Sequence, residues 1–184
     1  MPCPMCKREH PQTIPQALGV LARTPALLEI LVNRTAPVRL ARRPEPEKWS
    51  AKEIIGHLAD CEWIFGVRYR KIAAEPGAPL PAFEQDAWAT RLGHAQAPIR
   101  PMLATFAALR AANVALLKSL PAAAWEQSAP HPSYGPLRIR DLVLHIATHD
   151  AAHLARLDDL CSPPAVKKQA QAAAAKRKAA SRRR

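Results

Sequence analysis

Asp141–Leu160, DLVLHIATHDAAHLARLDDL, sets three histidines, His145, His149 and His153, at intervals of four residues. Four residues turn an α-helix through about 400°, so each histidine lies about 40° around the axis from the last. All three share one broad face, and Leu142, Ile146, Leu157 and Leu160 extend it. An apolar stripe of this kind points into a core. Two histidines at i, i+4 can ligate one metal ion, whereas His145 and His153, about 12 Å apart along the axis, are too distant to share one. One adjacent pair is therefore expected to bind, with a third ligand from another helix.

The candidate for that ligand is His57. Ser50 and Glu53 form a capping box at the start of a second long helix, which is expected to end at Glu75-Pro76-Gly77. Its buried stripe reads Ile54, His57, Leu58, Cys61 and Phe65, with Arg68 near the rim. Upstream, Ile14–Ala22 reads as a helical lead-in, and Thr24 as the N-cap of a helix opening on Pro25, with Leu27, Leu28, Leu31 and Val32 inward. A further helix over about Ile99–Leu120 is expected to bury Met102, Phe106, Leu109, Leu116 and Leu120, and Pro121 ends it. Between these last two helices runs a long crossover, Pro76 to Pro98, with a short helix expected at Asp86–Arg91 pinned by Trp88.

Four long helices and no strand predict an all-α four-helix bundle. The long crossover between its second and third helices allows parallel neighbours, so up-down-down-up is the expected order. A weak repeat, in which Ser50–Ala59 aligns with Arg138–Ala147, matches Glu53 to Asp141 and His57 to His145.

The chain has 184 residues, enough for one domain with a sizeable core. No run of about 18 apolar residues is read, so no membrane insertion is expected. The N-terminus lacks a signal-peptide pattern, and the cytoplasm is the default location. The net charge of +12 is uneven: eight basic residues and no acid follow Cys161, which leaves 19 basic against 15 acidic residues in the body. The domain reading is a disordered extension at 1–13, the bundle at 14–162 and a basic disordered tail at 163–184. Such a tail suits sequence-blind contact with nucleic acid, or with an acidic protein or an anionic membrane surface, and a solvated tail without a partner is preferred to these. The pair Cys3-Pro-Met-Cys6, with His10 four residues on, has the spacing of half a zinc site, but no second half is evident in the sequence. Asp150 is read as an ordinary exposed residue rather than a carboxylate orienting a ligand.

Taken together, Trp49-Ser50-x-x-Glu53-x-x-x-His57-Leu58, Asp86-x-Trp88 and His149-Asp150-x-x-His153-Leu154 resemble the DinB-like superfamily from about Ala17 to Leu160. The resemblance implies a four-helix bundle, often a homodimer, with a divalent ion such as zinc, nickel or iron held by three histidines. Carried over, those ligands fall on His57, His149 and His153. Arg138 departs from the family's Ser or Thr helix cap. Relatives in that superfamily include low-molecular-weight thiol transferases, a mycothiol-dependent isomerase and metal-dependent hydrolases. The resemblance thus implies a small-molecule substrate, with thiol transfer or hydrolysis as the reaction. A metal-binding protein without turnover is the alternative, and no catalytic residue is assigned.

Overall fold

The computed structural model describes residues 2–10 and 12–162. Four long helices, α1 (Ile14–Arg34), α3 (Ala51–Ala74), α5 (Ile99–Ser119) and α6 (Ile139–Cys161), form the bundle. Shorter elements connect them: α2 (Pro37–Ala41), α4 (Gln85–Arg91), a 3-10 turn over Ala122–Glu126, and strands β1 (Ser128–His131) and β2 (Gly135–Arg138).

Side-chain pairs fix the direction of each helix. Glu62 meets Arg110 and Arg70 meets Asn113, so α3 and α5 run parallel. Gln12 lies beside Thr148 and Arg34 pairs with Asp158, so the chain entering α1 and α1 itself run parallel to α6. Leu21 meets Arg110 and Asn33 meets Arg100, so α1 and α5 are antiparallel. The order is up-down-down-up, as the long crossover predicts.

Several local readings change. The helix over Ile14–Arg34 is continuous, capped by Thr13 with Gln16 at N3, and Pro25 lies inside it. Thr24 does not cap a helix; its hydroxyl donates to the Val20 carbonyl at 3.0 Å. Pro25 has no N–H to offer the Leu21 carbonyl, and Arg110 Nη1 donates to that oxygen instead at 3.0 Å. By length and composition alone α1 is also long and apolar enough to cross a membrane, its 18-residue window having a mean hydropathy of 1.2. Its buried residues, among them Ala17, Leu21, Leu28 and Leu31, pack inside the bundle.

A two-stranded antiparallel hairpin appears where none is expected. Ala129 pairs with Leu137 and His131 with Gly135, and Ala129 and Leu137 face the core. Pro130 and Pro136 hide it in the sequence, because proline is confined to sheet edges, but each strand here has only one partner. The Leu80 N–H donates to the Pro130 carbonyl at 2.8 Å and ties the crossover to the hairpin. At the start of α6 the Arg138 N–H donates to the Asp141 carboxylate at 3.2 Å, as the Ser50 N–H does to Glu53 at 2.9 Å. The acid of the weak repeat thus accepts from the N-cap N–H of both helices; the Glu53 N–H has the Ser50 hydroxyl as acceptor, and Arg138 offers no such oxygen to the Asp141 N–H.

The interior has two apolar layers. One gathers Leu21, Phe65, Tyr69, Leu117, Leu142 and Ile146; the other gathers Leu28, Ile54, Leu58, Leu103, Phe106 and Leu157. On α3, α5 and α6 the residues between the layers are polar. Arg110 donates to Asp150 at 2.6 Å and to Glu62 at 2.7 Å, and Asn113 donates to Glu62 at 3.0 Å. Asp150, expected at the surface, is fully buried there. The inward face of α5 is accordingly rotated from the sequence reading: Arg110, Asn113 and Leu117 are buried, while Leu109 and Leu116 are half-buried. Residues 2–10, expected to be disordered, fold against α6, with Cys3 only 4% exposed. The basic tail at 163–184 lies outside the described residues.

Candidate metal centre

α3 and α6 run antiparallel, which brings the capped start of one beside the middle of the other. His57, two turns into α3, meets His149 and His153 across the interface. The Nε2 of His149 lies 3.1 Å from the Nε2 of His57 and 3.1 Å from the Nε2 of His153. His57 is buried against Trp49, with ring centroids 4.9 Å apart.

A neutral imidazole carries one N–H, so His149 Nε2 can donate to only one of its two neighbours. A cation between the three nitrogens bonds all of them. Nitrogens about 2.0–2.1 Å from a tetrahedral ion stand about 3.3 Å apart, close to the 3.1 Å that His149 Nε2 keeps from each of its two neighbours. Burial supports the same state. It is the main force pulling His57 down to about 3, with His153 and His94 adding to it. It likewise holds His149 well below the ordinary imidazole range and lowers His153, against which Asp150 pulls upward. All three rings are therefore neutral at pH 7, with lone pairs free for a metal. The donor set fits a divalent ion.

The sequence reading missed Cys61 as a donor. It stands four residues after His57 on α3, the same i, i+4 relation that links His149 and His153. Its Sγ is 3.5 Å from His57 Nε2, and the donor atoms of His57, Cys61 and His149 all lie within 4.8 Å of one another. Burial pushes the Cys61 thiol well above its ordinary range, helped by Glu62, Asp150 and Asp60, so without a cation beside it the sulfur keeps its proton. His145 turns away from this cluster. Its Nδ1 is 3.6 Å from Cys3 Sγ, and its ring stacks over Phe65 at 6.2 Å.

His57, Cys61 and His149 open onto a cavity of about 300 Å³, walled also by Phe83, Arg68, His131 and Tyr134. Arg68 is buried, and its guanidinium is held by two bonds to the Pro81 carbonyl, at 2.8 and 3.1 Å. It brings a fixed positive charge to the wall.

A profile of the DinB superfamily matches residues 20–157. The chain belongs to the DinB superfamily. Among curated proteins it is similar to OB0782 of Oceanobacillus iheyensis, described as a candidate metal-dependent hydrolase, at 27% identity over 61% of this chain and 65% of that protein. It thus spans slightly less than two thirds of that relative's length. A second protein of the same organism, OB0413, carries the same description and is 22% identical over 68% of this chain and 72% of its own length. Of solved structures, YfiT from Bacillus subtilis, described as a probable metal-dependent hydrolase with an unusual four-helix bundle topology, superposes with a TM-score of 0.71. That match is 21% identical and covers 79% of this chain and 86% of YfiT. The four-helix bundle protein TT2238 matches with a TM-score of 0.55 and 22% identity, over 80% of this chain and 99% of its own.

In this DinB-superfamily chain the family motifs serve two ends. Ser50 and Glu53 fix the start of α3 and Trp49 packs on His57, while His149 and His153 face it from α6.

Proposed function

We propose that this protein is a metal-dependent hydrolase of a small, anionic substrate, with His57, His149 and His153 as the metal ligands. The observation that carries the reading is the position of His149 Nε2, 3.1 Å from two further imidazole nitrogens at the base of an open cavity. The names of the similar proteins support the reaction class. Three protein ligands leave a position open, as catalytic zinc sites do. A divalent ion there supplies Lewis acidity, which makes water a nucleophile near neutral pH.

The chain's own groups do the rest. Arg68, held in place by Pro81, attracts an anionic group to the cavity wall. Phe83 and Phe65 exclude bulk water from two sides. Glu84, an exposed residue, is the carboxylate lining the cavity among the described residues, and we assign it as the candidate general base.

Thiol transfer is the second reading. It is favoured by the all-neutral histidine donors beside Arg68, a setting that stabilises an incoming thiolate as well as it does hydroxide. Protein loaded with a divalent metal is to be assayed against a panel of esters and amides, and separately for conjugation of low-molecular-weight thiols to electrophiles. Hydrolysis that requires His149, and falls in Glu84→Gln at unchanged metal content, supports the first reading. Thiol-dependent conjugation without hydrolysis replaces it with the second. No turnover in either assay, with metal bound, leaves a non-catalytic metal-binding protein.

A further inference from the structure

The N-terminal Cys-x-x-Cys finds its missing half in the fold. Cys3, Cys6, His10 and His145 come together so that one donor atom from each lies within 4.8 Å of all the others. Cys3 Sγ is 3.6 Å from His145 Nδ1, and Cys6 Sγ is 3.5 Å from His10 Nε2. A tetrahedral zinc with sulfur at about 2.3 Å and nitrogen at about 2.0 Å has sulfur–nitrogen edges of about 3.5 Å. We propose that Cys3, Cys6, His10 and His145 form a second, structural zinc site, which clamps the N-terminal segment onto α6.

Three local features prepare these donors. The backbone from Cys3 to Arg8 is a tight turn, in which Lys7 N–H donates to the Cys3 carbonyl at 2.9 Å and Cys3 N–H to the Arg8 carbonyl at 2.8 Å. Lys7, with φ of 60°, is the one non-glycine residue in the left-handed region among those described, and it reverses the chain so that His10 returns toward Cys6. Burial raises the Cys3 thiol above its ordinary range, and the backbone N–H groups of Cys6 and Met5 act against that rise. Finally, Thr148 donates its hydroxyl to the Leu144 carbonyl at 3.1 Å while lying 2.8 Å from His10 Nδ1. With its proton on Leu144, the Thr148 oxygen can accept from His10 Nδ1–H, the tautomer that leaves Nε2 unprotonated beside Cys6. A hydrogen bond to the far ring nitrogen is the usual partner of a metal-bound histidine.

The two centres differ in kind. Cys3 and Cys6 each release a proton on binding, and two thiolates with two neutral imidazoles cancel the charge of the ion. Four protein ligands leave no open position, which marks a structural site. Its effect reaches the cavity, because Met5 lies on the cavity wall and His145 stands one helical turn before His149.

Full-length protein loaded with zinc is expected to hold two equivalents per chain. Cys3→Ser and Cys6→Ser should each lose one equivalent, whereas His149→Ala should lose the other and keep this one. Cobalt loading of the unaltered protein should give a sulfur-to-metal charge-transfer band that persists in Cys61→Ser and His149→Ala and vanishes in Cys6→Ser. Failure of the hydrolase reading removes turnover and leaves these results untouched. The proposal is overturned if Cys3→Ser with native helicity keeps the full metal content. It is equally overturned if the zinc-loaded protein carries a Cys3–Cys6 disulfide, seen as a mass lower by two hydrogens.

Discussion

Arg110 donates to the Leu21 carbonyl, the oxygen that Pro25 leaves without its helical partner. The same guanidinium is buried between Glu62 and Asp150, so one side chain satisfies an interrupted helix and two carboxylates at once. Removing one member of a buried charge group leaves the others uncompensated, at a cost of about 3–5 kcal/mol. Arg110→Met is expected to destabilise the bundle by that amount in urea unfolding. Combining it with Glu62→Gln and Asp150→Asn should recover much of the loss. A change below about 1 kcal/mol in the single variant would contradict the assigned network.

Metal content should separate the histidines of α6. His57→Ala and His149→Ala are expected to abolish binding at the candidate centre, because each removes an imidazole from the narrowest part of the cluster. His145→Ala should leave that centre loaded. His153→Ala and Cys61→Ser decide the third ligand: loss in the first and retention in the second follows from three histidines, and the reverse pattern gives the site to the thiol. Elemental analysis of the five variants reads the outcome directly.

Acid sensitivity should trace to Glu53. Burial acts to raise its carboxyl, but hydrogen bonds from Arg43 and from the Ser50 backbone and hydroxyl outweigh it and hold the group below its ordinary range. Folding therefore favours the ionised form. The stabilisation is complete above the unfolded value, about 4.3, and is lost as pH falls through the depressed folded value. Glu53→Gln should lower the melting temperature at pH 7, and its curve should converge with that of the unaltered protein in strong acid. A gap that stays constant down to that range would rule this origin out.

Gly66 marks a close approach of α3 to α5. A Cβ built there would lie 2.7 Å from Asn113 Oδ1 and 2.9 Å from its Nδ2, and Asn113 is itself held by Glu62 and Arg70. Gly66→Ala gains helix propensity, but the asparagine has no room to retreat. A net destabilisation of about 1–3 kcal/mol is expected. A thermal melt at or above that of the unaltered protein would show that the helices separate freely.

Short-range chemistry made much of this legible before the fold was seen. Ser50 with Glu53, and His149 with His153, depend only on spacing along one helix: the first pair forms the capping box that its spacing predicts, and the second stands side by side. The topology was also legible, because the length of the Pro76–Pro98 crossover constrains which helices can lie parallel. Burial of Arg110, Asn113 and Asp150 was not, since a charge is buried only when its partners arrive from other helices. The same holds for Cys3 and Cys6, whose fellow donor His145 stands far along the chain. Helical periodicity places His145 on the metal-facing stripe, and only tertiary packing turns it to the other cluster.

The parallel pairing of α3 and α5 has a consequence for how such a protein can diversify. After the 24 residues of α3, about 36 Å long, the chain must climb the same height again before α5 begins. Ala82, Phe83, Glu84 and Gln85, which line the cavity, belong to that return path. The imidazoles, by contrast, sit on two rigid antiparallel rods. On the proposed function, part of the substrate contact thus falls on the return path, while Arg68 shares α3 with His57. The return path can exchange side chains, lengthen or shorten while the rods stay fixed, so the shape of the cavity can change without moving the imidazoles.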